Sequence, residues 1–463
     1  MTSRSALALS LLSLLGGCAS TWPVADLKMP LPEAWRNARP AVASSITHPL
    51  PADTRYPGAW WHVFHDAELD KLIDTALQSS LSIAAAGERL RAARALVPAA
   101  IAPYRPELSA ATGFASTPDA RANYFQYSFD ATWELPLFNR AENARRASTA
   151  EIQQAAANVA AVQSSVAAEV ACAYFETQSA ERRTTLLGEL LKVTQATLNR
   201  VQARVRAGLD EPETIDAAET ALVAVQARSL EPEPARAQGL QRIAVLLGRA
   251  AIDPSWTQYA QSAQVPALRI ETTPADLLRA RPDIHAAEAE VVKAAATLGI
   301  AQADLYPHMN LLGAITAATL IGGVGRSGSS GNFAAAPAIS LPLFDWGKRR
   351  AVRDARSAQL AAAVLDYRQS VLEAVAETES ALTRLNHSMD LVELLRRAVA
   401  ARQETRRATA ARLRAGLSEE SAVSAECAAI ETRLSLAEAE FQGALAIVQL
   451  YKALGGAGAP ADA

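Results

Sequence analysis

From Tyr124 to Leu135 the chain reads YFQYSFDATWEL, and its apolar and polar residues alternate. Phe125, Tyr127, Phe129, Ala131, Trp133 and Leu135 share one parity; Gln126, Ser128, Asp130, Thr132 and Glu134 share the other. Period two kept over this length predicts a strand with one apolar and one polar face, long enough to cross a bilayer when tilted. A partner strand is expected over Glu107 to Phe114, with turn chemistry in the tip STPDARAN from Ser116 to Asn123. The scheme recurs over Met309 to Ile321, a tip GGVGRSGSSGN, and Phe333 to Leu343, where the alternation is fainter because Ala dominates.

After each strand pair the period changes. Asn139 to Ala207 holds no Pro and no Gly except Gly188, and Lys348 to Ala415 holds neither. Leu187, Leu191, Leu198, Val201 and Val205 follow a 4-3 spacing with Thr194 in the gap; Val371, Val375, Leu382 and Leu385 do the same around Thr378. That is a coiled-coil seam. A helix of about 70 residues at 1.5 Å per residue is a rod of roughly 100 Å. Each rod stops at RAGL, where Gly208 and Gly416 suit the left-handed position that ends a helix. Asp210 with Glu213 is expected to start the next helix as a capping box, with Ser418 as the matching cap. The first return helix is expected to break at EPEP, Glu231 to Pro234.

The two halves are copies. LPLF recurs at 135 and 341 (341 − 135 = 206), RAGL at 206 and 414 (414 − 206 = 208), and a closing Leu-Gly at 247 and 454 (454 − 247 = 207). Near-constant offsets mean a two-fold repeat that shares one fold along its length.

Composition changes this picture in three places. The 463 residues are half apolar but only 5% aromatic, as expected of closely packed, Ala-rich helices, and the net charge of −3 indicates no nucleic-acid partner. The start reads as an export signal: Arg4, an apolar run from Ala6 to Leu15, then Leu15-Gly16-Gly17-Cys18. Small residues before Cys resemble a lipoprotein signal, so residues 1–17 would be removed and Cys18 lipidated, with Ala19 rather than Asp favouring the outer membrane. Beyond the leader no stretch reads as a transmembrane helix, so any crossing must use strands. Cys172 and Cys427 make no disulfide framework, their heights along the rods differing by roughly 35–40 Å at 1.5 Å per residue. His62 and His65 lack a further ligand cluster, and no phosphate loop or hydrolase motif occurs. Neither a metal site, a cofactor nor a catalytic residue is expected.

Four membrane strands cannot close a barrel, and lipid does not tolerate an open sheet edge. The chain must therefore associate, with two copies giving 8 strands or three giving 12. The polar parity Gln126, Ser128, Asp130, Thr132 and Glu134 would line the lumen. The rival is a structural coiled-coil envelope lipoprotein or a periplasmic adaptor without a pore, which would need no amphipathic strands.

The ordered set WWHVFHDAELDKLIDTAL (Trp60 to Leu77), ARPDIHAAEAEV (Ala280 to Val291), YPHMNLLG (Tyr306 to Gly313), both LPLF and both RAGL segments resembles outer-membrane factors of the TolC type, in the lipoprotein branch serving resistance-nodulation-division type tripartite pumps. The resemblance implies a mainly α chain with a membrane β-barrel: four strands and long coiled-coil helices per chain, and a homotrimeric 12-stranded barrel on an α-helical barrel. It implies residues 18–81 as a lipidated linker and equatorial segment, 82–270 as the first repeat, 271–455 as the second and 456–463 as a tail. Within the repeats, strands are expected at about 104–138 and 306–344, helical hairpins at about 139–230 and 346–446, and an equatorial part at about 231–270. It further implies a passive exit duct for drugs or other small molecules, fed by an inner-membrane pump through a periplasmic adaptor that docks on Arg204, Gly208, Leu209, Arg412, Gly416 and Leu417. The family's entrance is often narrowed just beyond the second turn; the matching positions here are Ser421 and Ala425, with Glu420 nearby.

Overall fold

The computed structural model describes residues 27, 32, 34–37, 48–49, 59–117, 122–257, 268–269, 281–320, 329–414 and 419–456. Cys18, Gly416, Leu417 and Ser418 lie outside these residues, as does the first half of the Gly/Ser tip.

Eight α-helices are described: α1 (Ala67–Ser79), α2 (Leu81–Ile101), α3 (Arg140–Arg206), α4 (Glu213–Ser229), α5 (Pro232–Leu246), α6 (Pro282–Ala303), α7 (Lys348–Arg414) and α8 (Glu419–Ala453). The two rods, α3 and α7, have 67 residues each. Four strands, β1 (Glu107–Thr117), β2 (Ala122–Leu135), β3 (His308–Leu320) and β4 (Ser329–Ser340), form one antiparallel sheet in the order β1-β2-β3-β4. Strand bounds differ from expectation at the tips: β1 runs on to Thr117 and β4 begins at Ser329, inside the expected Gly/Ser loop.

The return helices are unequal, as EPEP predicts. Pro232 opens α5, and its missing N–H and fixed φ end the previous helix at Ser229, while α8 continues unbroken for 35 residues.

The repeats are not the compact units. One unit gathers the described parts of Glu88–Ala157 and Ile284–Ser370; the other gathers those of Pro30–Gly87, Asn158–Asp283 and Val371–Ala463. Each unit therefore draws on both repeats. The reason is pairing: β2 of the first repeat is hydrogen-bonded to β3 of the second, from Tyr124 with Leu320 to Leu135 with Met309.

The core of the second unit explains the Trp-rich segment. Trp60 stacks on Tyr451 at 5.4 Å between centroids, and Phe64 meets Phe175 at 4.7 Å. Around them Leu69, Ile73, Ile243 and Ile447 are fully buried. Asp66 caps α1 through the amides of Glu68 and Leu69 and accepts the Tyr174 hydroxyl at 2.6 Å. The ARPD motif is a tie of the same unit. Arg281 donates to Asp283 and Glu377 (2.7 and 2.8 Å) and to the Ala453 carbonyl at 2.6 Å, which serves an orphan acceptor at the end of α8. His62 pairs with Asp70 at 2.9 Å.

One expectation needs correction. α3 is long and apolar enough by composition to cross a membrane, although no such helix was expected beyond the leader. Its Ala and Val content raises the hydropathy, and many of those side chains, including Val166, Val170, Ala171 and Ala173, are buried within the protein.

Candidate functional site: sheet faces, entrance and tips

Paired residues in an antiparallel sheet lie on the same face, so the register sorts the side chains. Phe114 pairs with Phe125, which pairs with Thr319; Phe129 pairs with Ala110 and Ile315; Ile315 pairs with Phe333. The apolar parity of β2 thus continues across all four strands. Phe114, Phe129, Ile315, Phe333 and Ile339 are each more than half exposed in the single chain. Soluble proteins rarely leave such a contiguous apolar patch uncovered.

The opposite face carries the polar residues of β2, among mostly small neighbours. Gln126 pairs with Gly113 and Ala318, Ser128 with Ala111 and Thr316, Asp130 with Ser109 and Ala314, and Thr132 with Glu107 and Leu312. Ser128 donates to Asp130 Oδ2 at 2.8 Å. Glu134 belongs to a different environment. It pairs with Arg140, whose other terminal nitrogen reaches Asp304 at 2.8 Å, and it lies 3.2 Å from His308 Nδ1. The Arg140 side chain is only 15% exposed, with its cation 5.8 Å from the Tyr104 ring. Glu134 is thus held in an ion cluster at the end of the sheet. Sequence parity alone could not show this, because Arg140, Asp304 and His308 come from three other segments.

Among the described residues, neither edge of the sheet, β1 or β4, has a further partner strand. Two bare edges, one apolar face and one polar face together describe a segment of a larger closed sheet.

At the first tip the rod closes with a Schellman motif. Gly208 has φ 68°, its N–H reaches Val205 O at 3.0 Å, and Leu209 N–H reaches Arg204 O at 2.9 Å. Leu209 is 65% exposed. The expected capping box does not form: α4 starts at Glu213 behind Pro212, with no side-chain cap. Asp210 is instead gripped by Arg204 through both carboxylate oxygens, at 2.7 and 2.8 Å. A bidentate guanidinium outcompetes a backbone amide for a carboxylate. That hydrogen bonding holds the Asp210 carboxyl below its ordinary pKa. Arg204 therefore serves its own turn. The counterpart of Asp210 in the second copy, 210 + 208 = 418, is Ser418, which offers Arg412 no carboxylate at that position.

Beyond the second turn, Ser421 is exposed and Ala425 half-buried on α8. Glu426 receives Arg406 at 3.1 Å, so this acid is neutralised by the rod beside it. Glu420 falls in α8, but nothing about its side chain is described.

Comparison with known proteins agrees with this geometry. The family model described as outer membrane efflux protein matches residues 72–249 and 273–456. The chain is 29% identical over 449 residues to nodulation protein T of Rhizobium leguminosarum bv. viciae, covering 95% of this chain and 89% of that one. It is 28% identical to the pyoverdine export outer membrane protein OpmQ of Pseudomonas aeruginosa, covering 97% and 96%. The solved outer-membrane channel OprN superposes with a TM-score of 0.77 at 28% identity, over 94% of this chain and 100% of that one.

Proposed function

The chain belongs to the outer membrane efflux protein family and forms an outer-membrane exit duct, and we propose that three copies close a single 12-stranded barrel from their four strands each. The carrying observation is the sheet itself, with an apolar face, a polar face and two bare edges. Three copies remove every edge and turn Gln126, Ser128, Asp130 and Thr132 toward a wet lumen. The role is transport rather than catalysis. Small molecules reach the duct from an inner-membrane pump through a periplasmic adaptor that docks at the rod tips around Leu209 and Leu417. Family membership and the exposed Leu209 support that arrangement. Cys18 carries the lipid that adds an anchor to the barrel.

Reconstitution in planar bilayers tests the reading. The purified protein gives discrete single-channel steps, and chemical cross-linking stops at three copies. The Cys18→Ala variant loses its lipid label yet stays in the membrane fraction, because the strands hold it. Absence of conductance, or recovery of Cys18→Ala as a soluble periplasmic protein, would instead favour a lipoprotein without a pore.

A further inference from the structure

The junction between strand and rod occurs twice, and only one copy of it is complete. In the first, β2 leads into α3 while β3 begins alongside it. Phe138, two residues before α3, has a left-handed backbone (φ 55°) and stacks on Tyr306, with centroids 4.7 Å apart and planes 23° apart. Left-handed backbone is disfavoured for a bulky residue, so the surroundings must hold it there. The stack is what Phe138 meets.

In the second copy β4 leads into α7. Counted from the rod, Trp346 takes the place of Phe138: it too stands two residues before the helix, and its φ is also 55°. The segment gains two residues, since LPLF is offset by 206 and the rod starts by 348 − 140 = 208. Trp346 is 91% exposed, and Phe344, its aromatic neighbour at 5.0 Å, is 76% exposed. The same disfavoured backbone is kept here without the stack that accompanies it in the first copy.

β4 is a sheet edge, so the ring that would complete the stack has to arrive with another chain's strand. The other edge supplies a match. Tyr306 is the third residue after α6, just ahead of β3; Tyr104 is the third residue after α2, just ahead of β1. Tyr104 is positioned for the task, with its carbonyl accepting Trp133 Nε1–H at 3.2 Å and the Arg140 cation beside its ring. The position of Asp304, two residues before the tyrosine, is Ala102 at this edge, so the open junction replaces an acid by an apolar residue. Two exposed rings at one edge and a tyrosine with an alanine at the other suit an aromatic contact, which prefers offset or tilted rings with centroids a few ångströms apart.

We infer that Trp346 of one copy stacks on Tyr104 of the next, repeating between chains the contact that Phe138 and Tyr306 make within one. The inference rests on the closed barrel proposed above. It makes the strand–rod junction a continuous aromatic lock around the ring of copies, with a second copy of this chain as the occupant of the exposed Trp346 and Phe344 surface. A tryptophan at the membrane interface, facing lipid headgroups, is the competing fate of the same side chain.

The test uses full-length protein in native membranes carrying Tyr104→Cys with Trp346→Cys, treated with a short thiol-to-thiol linker. Phe138→Cys with Tyr306→Cys reports the same geometry within one chain. The expected result is that most of the double variant runs as linked dimer and trimer on non-reducing gels, while neither single variant does, so native Cys172 and Cys427 are not responsible. The intrachain pair should link without changing the chain count. Trp346→Ala should lower the temperature at which trimers dissociate in detergent, and Trp346→Phe should restore most of it. Trimers that form normally while only the intrachain pair links would overturn the inference and leave Trp346 to lipid. Failure of the unaltered protein to trimerise would overturn the barrel itself.

Discussion

Phe129 and Ser128 are neighbours in the chain and opposites in the sheet. Phe129 is the eighth residue of the 14-residue strand β2, close to its middle, and is 56% exposed on the apolar face. Ser128 faces the other side, beside Asp130. If the apolar face meets lipid, Phe129→Arg places a cation near the centre of the bilayer. An arginine on the lipid face near the midplane of a barrel costs about 2–4 kcal/mol, so three copies would cost about 6–12 kcal/mol per assembly. That is comparable to the whole stability of an ordinary domain, about 5–15 kcal/mol. Ser128→Arg should leave insertion intact, since the guanidinium stays in water within reach of the Asp130 carboxylate. Membrane fractionation with gel analysis of unheated trimers reads the first effect; planar-bilayer recordings read the second. The expected outcome is loss of Phe129→Arg from the outer membrane, and normal assembly of Ser128→Arg with altered conductance and a shift toward anion passage. Normal trimers from Phe129→Arg, or loss of Ser128→Arg instead, would mean the faces are assigned the wrong way round.

Three further outcomes are expected. Leu209→Glu combined with Leu417→Glu should abolish efflux and adaptor cross-linking while leaving trimers and conductance unchanged; normal efflux would reduce both turns to chain reversals. Gly239→Ala should lower the thermal midpoint, because its Cβ would stand 2.4 Å from Thr177 Oγ1 and 3.0 Å from Ala173 O, in a packed helix contact. Overpacking of that kind costs about 1–3 kcal/mol, and an unchanged melting curve would refute the close approach of α5 to α3. Burial pushes the Cys172 thiol up to about 11, so it stays protonated at pH 8 and should alkylate slowly, with a rate rising up to pH of about 11. Mass spectrometry of the timed reaction checks this; labelling at the rate of a free thiol, or a Cys172–Cys427 bridge, would contradict the packing.

The parts of this protein that were legible in the sequence are those whose cause lies within a few neighbouring residues. Alternation from Tyr124 to Leu135 depends only on a period of two, and the rods depend on apolar spacing unbroken by Pro. The bend at Gly208 needs one residue without a Cβ, and the break at EPEP needs two missing N–H groups. The equal offsets of LPLF, RAGL and Leu-Gly made the two-fold repeat visible without any structure. Even the need for further copies follows from counting strands.

Tertiary structure decided what depends on distant partners. Asp210 has good capping chemistry, yet Arg204 takes it, because a bidentate ion pair is stronger than a bond to one amide. Glu134 has lumen parity, yet Arg140, Asp304 and His308 converge on it from positions that no local pattern connects. The pairing of β2 with β3 joins the two repeats and divides the chain into units the repeat boundary does not follow. Trp346 reads in the sequence as one more aromatic after LPLF. Its left-handed backbone and bare ring acquire meaning only beside the stacked Phe138, because strain and exposure belong to the folded chain and not to the order of its residues.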